Sequence, residues 1–211
     1  MRRPTSTLLW LVRSGETTWD EQDRLRGDED LPLSKAGRAA TTEAFGRASG
    51  LPFPRPAVFH HAMDQAAAET AKIACTILGG RSRGDDELAD PALGVLAGLS
   101  IPELRDRFER RARQWEEDPS DLVPPEGEPI ADARARLVMA AARILRKRPP
   151  AVGIVVHDLA AGLLRSALAG QATGNPRRWM EGRPRVELWT LPEDASRRLQ
   201  DVLDGASVGV E

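Results

Sequence analysis

The sequence predicts an α/β protein whose mainly parallel sheet lies between two layers of helices. Three observations lead there. Short apolar runs recur along the chain, as in "TLLWLV", "AVFHH", "GIVVH" and "VELWTL". Amphipathic stretches of helical period separate them, and Pro and Gly collect at the junctions. Strands that alternate with helices pair in parallel and are covered on both faces.

The strands are read at residues 7–12, 57–61, 153–157 and 186–191, with a short one near Glu87 and Leu88, because each is an apolar run bounded by turn residues. Helices are read at 34–49, 64–78, 101–117, 130–147 and 159–169. Ser34 is the N-cap of the first, with Gly37 tolerated one turn in. The Pro- and Gly-rich stretches "SGLPFPRP", "PSDLVPPEGEP" and "TGNPRR" read as loops, and "DGASVGVE" reads as a loose tail. No repeat or low-complexity linker divides the chain, and 211 residues suit one domain over 1–211.

Composition narrows the function classes. Charged residues are 29% of the chain, yet the net charge is only -2. That balance argues against disorder and against a nucleic-acid partner held by bulk charge. Arg far outnumbers Lys, but the excess sits beside Glu and Asp on helices such as "IPELRDRFERRARQWEED", a solvated face. Cys75 is the single cysteine and reads as a small core residue in "AKIACTIL". The N-terminal apolar run is too short for a signal peptide or a membrane span, so a cytoplasmic protein is expected, with no membrane partner. There is no tyrosine, so acid-base work falls to other groups. Gly94 and Gly98 read as turn glycines rather than a phosphate loop, because no Lys-Ser/Thr follows them. No cofactor is expected.

Six segments, in order, resemble the histidine phosphatase superfamily in its phosphoglycerate-mutase-like branch. They are "LVRSGETTWD", "RLRGDEDLPLSKAGRAA", "AMDQAAAETAKIA", "LADPALGVLAGLSIPEL", "PPEGEPIADARARL" and "VGIVVHDLAAGLLRSALAG". The resemblance implies a phosphoryl-binding cleft at the carboxyl ends of the strands, the usual place for ligands in such sheets. In that family one His takes the phosphoryl group, a second His and two Arg cradle it, and a Glu or Asp protonates the leaving oxygen.

Carried over residue by residue, Arg13 is kept and the nucleophile position holds Ser14. The second Arg becomes Ala66 or, with a one-residue slip, Gln65. The second His becomes Asp158, or His157 if the register shifts. Asp90 takes the acid position, and Asp20 replaces an Asn that faces the phosphate. Arg24 is expected to help bind substrate beside Arg13, Ser14, Asp20 and Gln65.

These changes bear on the chemistry. A phosphate dianion is held by positive charge and N–H donors. One unit-charge pair at about 4 Å is worth roughly 4 kcal/mol at an effective dielectric near 20. Millimolar affinity is itself only about 4 kcal/mol. Losing an Arg and imidazoles while gaining carboxylates therefore suffices to erase phosphate binding. A serine nucleophile needs an adjacent base. His60, His61 and His157 all fall at predicted strand ends, where they are expected to converge on one pocket.

Three readings of that cluster stay open. One imidazole acts as an acid-base, oriented by Asp158 or Asp90. Two imidazoles and a carboxylate bind a metal, which the opposite facing of His60 and His61 disfavours. Or all three are hydrogen-bonded polar residues without chemistry. The catalytic candidates are His61, His157, Asp158 and Asp90, with no metal. The expected partner is a small molecule less anionic than a phosphate ester, and a homodimer stays open as an assembly. The competing expectations are an inactive binding module and a residual phosphatase or mutase. Glu16 is expected to accept turn N–H groups, Trp19 to cover the turn, Glu128 and Arg136 to form a salt bridge or line an entrance, and Trp179 and Met180 to anchor a loop or wall the pocket.

Overall fold

The computed structural model describes residues 6–171 and 175–207. Its centre is a five-stranded sheet. Strand β1 (Ser6–Arg13) is followed by a one-turn helix α1 (Thr18–Glu21) and by α2 (Lys35–Ser49). Then come β2 (Val58–His61), α3 (Gln65–Leu78) and β3 (Arg81–Gly84). Two helices, α4 (Ile101–Arg107) and α5 (Glu109–Glu117), precede α6 (Ile130–Leu145), β4 (Ala151–Val156) and α7 (Asp158–Leu168). The chain closes with α8 (Pro176–Met180), β5 (Val186–Pro192) and α9 (Ala195–Ser207).

The strand order is β3-β2-β4-β1-β5, with β5 antiparallel to β1 and every other pair parallel. This is the mainly parallel three-layer arrangement expected. Helices α2 and α3 pack together, and α6 packs with α7 and α9. The core lies between these layers and the sheet, where Trp10, Phe45 and Phe59 are almost wholly buried. Cys75 is partly buried against it, in keeping with a core role.

Local chemistry sets the helix starts. The Ser34 hydroxyl accepts the Gly37 N–H at 2.8 Å, and Asp64 accepts the Ala67 N–H at 3.0 Å. Gly37 has a second role. A side chain there would run into the Glu16 backbone, so glycine lets α2 close against the turn that follows β1.

Several expectations need correction. The strand near Glu87 and Leu88 is a 3₁₀ turn, Asp86–Leu88, and the fifth strand is Arg81–Gly84. "RSRG" carries no apolar signal because β3 is an edge strand with largely exposed side chains, held by backbone pairing to β2. The helix read at 101–117 breaks at Phe108, whose backbone leaves helical space. The break lets Leu104 in α4 and Ala112 and Trp115 in α5 all reach the core. Strand β4 stops at Val156, and His157 stands at the N-cap of α7. Part of "TGNPRR" is helical from Pro176, while Thr173 and Gly174 lie outside the described residues. Residues 204–207 of the expected tail continue α9, and residues 208–211 lie outside the described residues. No helix among the described residues is long and apolar enough to cross a membrane.

Candidate functional site

Parallel pairing of β1 with β4 sets Arg13 opposite Val156, so both strands end side by side. The Ser14 N–H donates to the Val156 carbonyl at 2.8 Å and extends that pairing by one residue. The turn after β1 and the start of α7 therefore share one mouth. A cavity of about 540 Å³ opens there. Arg13, Ser14, Asp20, Arg24, Asp90, His157 and Asp158 line it, seven of the nine residues named from the sequence.

The floor of the cleft is made of buried polar pairs. Arg26 Nη2 donates to Asp90 Oδ2 at 3.3 Å, with the two side chains only 5% and 7% exposed. The other Asp90 oxygen accepts the Ala160 N–H in the first turn of α7 at 2.9 Å. Burial pushes the Asp90 carboxyl above the usual range, against the pull of Arg26 and His157. Beside it, His157 Nε2 lies 2.8 Å from Asp64 Oδ1, again with both side chains buried. Burial alone would raise the Asp64 carboxyl. The hydrogen bond and charge of His157 and the Ala67 N–H outweigh it and hold Asp64 below its ordinary value.

The rim is also paired but more open. Arg13 Nη1 meets Asp158 Oδ2 at 3.3 Å, and its Nη2 donates to the Arg183 carbonyl at 2.6 Å. Arg24 meets Glu103 at 3.2 Å and also donates to the Gly98 carbonyl. Arg185 donates to the Ser14 carbonyl and meets Glu16 at 3.3 Å. Arg177 donates to the Trp115 carbonyl at 3.0 Å, with its guanidinium over the Trp115 ring. Five arginines and six carboxylates line the cavity.

Ser14 is 5% exposed, and its Oγ lies 3.4 Å from both the Thr70 hydroxyl and the Gly15 carbonyl. No imidazole or carboxylate reaches it among the described residues. Asp20 accepts from the Thr17 N–H and hydroxyl, each at 2.7 Å, and so caps α1. One face of the cleft is apolar, formed by Leu93, Ile101, Trp115 and Met180.

The three histidines do not converge. Only His157 lines the cavity. The His61 Nδ1–H donates to the Ala62 carbonyl at 2.7 Å, and its ring edge faces Gly84 at the end of β3. His60 points to the other side of β2, toward Asp85, Arg83, Lys147 and Arg143. Burial lowers its pKa, opposed by Asp85 and reinforced by the three cations, and its Nδ1 is buried without a partner among the described residues.

Gln65 also lies outside the cavity. Its backbone N–H and side-chain amide clasp the Asp30 carboxylate at 2.7 and 3.1 Å. Ala66 is fully buried. The orienting partner of His157 is Asp64, rather than Asp158 or Asp90. No group of three or more His, Cys, Asp or Glu among the described residues is arranged to hold a metal.

Glu128 and Arg136 form a two-pronged pair at 2.9 and 2.6 Å outside the cavity, the structural alternative anticipated for them. Glu16 uses its carbonyl to accept the Ser34 N–H and its carboxylate to meet Arg185. Trp19 packs over Gly98. Trp179 anchors its segment. The Arg165 guanidinium sits 5.6 Å from its ring and 5.2 Å from that of Trp189, and pairs with Glu187 at 3.1 Å.

Sequence reasoning missed Arg26, Arg177, Arg185 and Asp64. Arg26 stood inside a quoted segment, two residues from Arg24, and its inward direction was readable only from alternation. Asp64 carried a visible signal as the first residue of a helical pattern. Arg177 and Arg185 enter through α8 and the return of β5 beside β1, which no local pattern announces.

The comparisons agree with this architecture. A curated relative from Escherichia fergusonii, named "Probable phosphoglycerate mutase GpmB", is 30% identical over 179 residues, covering 81% of this chain and 78% of the relative. Among solved structures, Bacillus stearothermophilus YhfR has a TM-score of 0.71 at 23% identity, covering 84% of this chain and 85% of that one. The mycobacterial glucosyl-3-phosphoglycerate phosphatase Rv2419c, in complex with VO3, has a TM-score of 0.71 at 20% identity, covering 90% and 97%. A family model described as "Histidine phosphatase superfamily (branch 1)" matches residues 9–196, and the chain belongs to that family.

Proposed function

We propose that this family member has left phosphoryl transfer, and that its cleft binds or converts a small molecule less anionic than a phosphate ester. One observation carries the reading. Each arginine in the cavity wall already donates to a carboxylate or carbonyl of the protein, so an incoming dianion meets a floor neutralised from within. The family resemblance adds that Ser14, Ala66 and Asp158 occupy the positions of the nucleophile, an arginine and the second histidine. Relatives named as mutases and phosphatases give the ancestry of the cleft, and its present charge pattern argues for a different ligand.

His157, set by Asp64, is the proton-handling group best placed for conversion, with Asp90 and Asp158 beside it. The isolation of Ser14 Oγ favours the second reading, a binding module without turnover. Either role suits a cytoplasmic protein. The deciding measurement is thermal stability against rising inorganic phosphate and vanadate, paired with hydrolysis of an aryl phosphate. A flat response and no hydrolysis are expected. Saturable stabilisation by phosphate, or turnover lost in Ser14→Ala, would overturn the proposal and restore a phosphatase reading.

A further inference from the structure

Resting on the non-phosphate reading, we infer that the cleft takes a small organic cation, a primary ammonium carried on an apolar body of aromatic size. The inference comes from a count of donors and acceptors. The donors in the wall are committed. All five lining arginines donate to protein acceptors, and the spare Arg13 Nε is buried away from the open space.

The acceptors are not committed. Asp158 is 69% exposed and uses one oxygen on Arg13. The side chains of Asp23 and Glu181 line the cavity with no hydrogen bond or ion pair among the described residues. A second, independent observation points the same way. His157 is only 5% exposed and lines the cavity, with Nε2 held by Asp64. Its Nδ1 has no hydrogen-bond partner among the described residues. With Nε2–H donated to a carboxylate, the neutral ring turns an Nδ1 lone pair to the ligand space.

An ammonium group has three donors and no acceptor, so it complements this set where a carboxylate or phosphate does not. Leu93, Ile101, Trp115 and Met180 supply an apolar wall for the rest of the molecule.

The test uses three probes of one shape on the whole protein: 2-phenylethylammonium, 3-phenylpropionate and 2-phenylethanol. Binding is followed by thermal stability and by nitrogen and indole resonances of His157 and Trp115. The ammonium is expected to bind at least about tenfold tighter than the carboxylate, equivalent to about 1.4 kcal/mol. It should shift His157 Nδ1 saturably, and Asp158→Asn should weaken it while leaving the protein folded. Equal or tighter binding of 3-phenylpropionate would overturn the inference. So would an ammonium titration that leaves both resonances unmoved to the limit of solubility. If 2-phenylethanol matches the ammonium, the cation preference fails while the non-phosphate reading stands. Stabilisation by inorganic phosphate would instead remove that reading itself.

Discussion

The floor and the rim of the cleft are built from the same kind of pair with opposite energetics. On the floor, Arg26–Asp90 and His157–Asp64 are nearly sealed from water. On the rim, Asp158 and Glu16 keep more than half of their side chains exposed while pairing with Arg13 and Arg185. A buried pair is costly to break because the survivor is a stranded charge, whereas an exposed pair is worth little because water replaces the partner. The floor is thus a fixed part of the fold, and the rim is where a ligand can exchange partners.

Removing one half of the buried ion pair gives the largest effect. Arg26→Met is expected to cost about 3–5 kcal/mol near neutral pH by denaturant unfolding. The loss should shrink in acid. Asp90 already has a raised folded-state pKa, so it favours the folded state below its unfolded value, and that contribution fades as pH rises through the folded value. Without Arg26 the rise is steeper, and protonating Asp90 relieves the variant. A loss independent of pH would show that packing of the Arg26 stem, not charge, holds the floor.

Asp64→Ala comes next, at about 1–2 kcal/mol, since it removes the N-cap of α3 as well as the partner of His157. The folded Asp64 carboxyl is depressed, so its contribution is present above the ordinary carboxylate value and is lost as pH falls below it. The variant should flatten that acid limb of the stability curve. An unchanged limb would separate Asp64 from the floor.

Asp158→Asn should cost less than about 1 kcal/mol, as expected for an exposed pair. By freeing Arg13 it should give the cleft a weak, salt-sensitive thermal response to phosphate. An Asp158 variant as damaged as the Arg26 variant would erase the distinction between floor and rim.

The smallest effect is expected at His60, outside the cleft. Its lowered pKa means stability falls as pH drops below the ordinary histidine value. His60→Val should remove that slope and leave neutral-pH stability and ligand response nearly unchanged. A changed ligand response would place His60 in the working site.

Much of this was legible in the residues. The apolar runs of β1, β2, β4 and β5 announced the sheet, and the spacing of Arg13, Asp90, His157 and Asp158 placed them at one mouth. Elements defined by backbone pairing alone were silent, as with "RSRG", where exposed arginines hide an edge strand. Side-chain direction was equally hidden. His60 and His61 sit at the strand end as read, yet burial under Met63 and Gly84 on one side and the reach of Arg143 and Lys147 on the other take both rings from the cavity. The partner of His157 was out of reach for a related reason. Asp64 and His157 are 93 positions apart and meet because α3 begins beside the end of β4.

The guanidinium of Arg165, gripped by two indoles and the Glu187 carboxylate, has a mechanical consequence. Trp179 belongs to α8, which carries Met180 into the cavity wall, while Trp189 and Glu187 belong to the antiparallel strand. Swinging that wall outward means unstacking an aromatic sandwich anchored in the sheet. The aperture on this flank is accordingly gauged by the sheet margin, and molecules must enter past the carboxylate side.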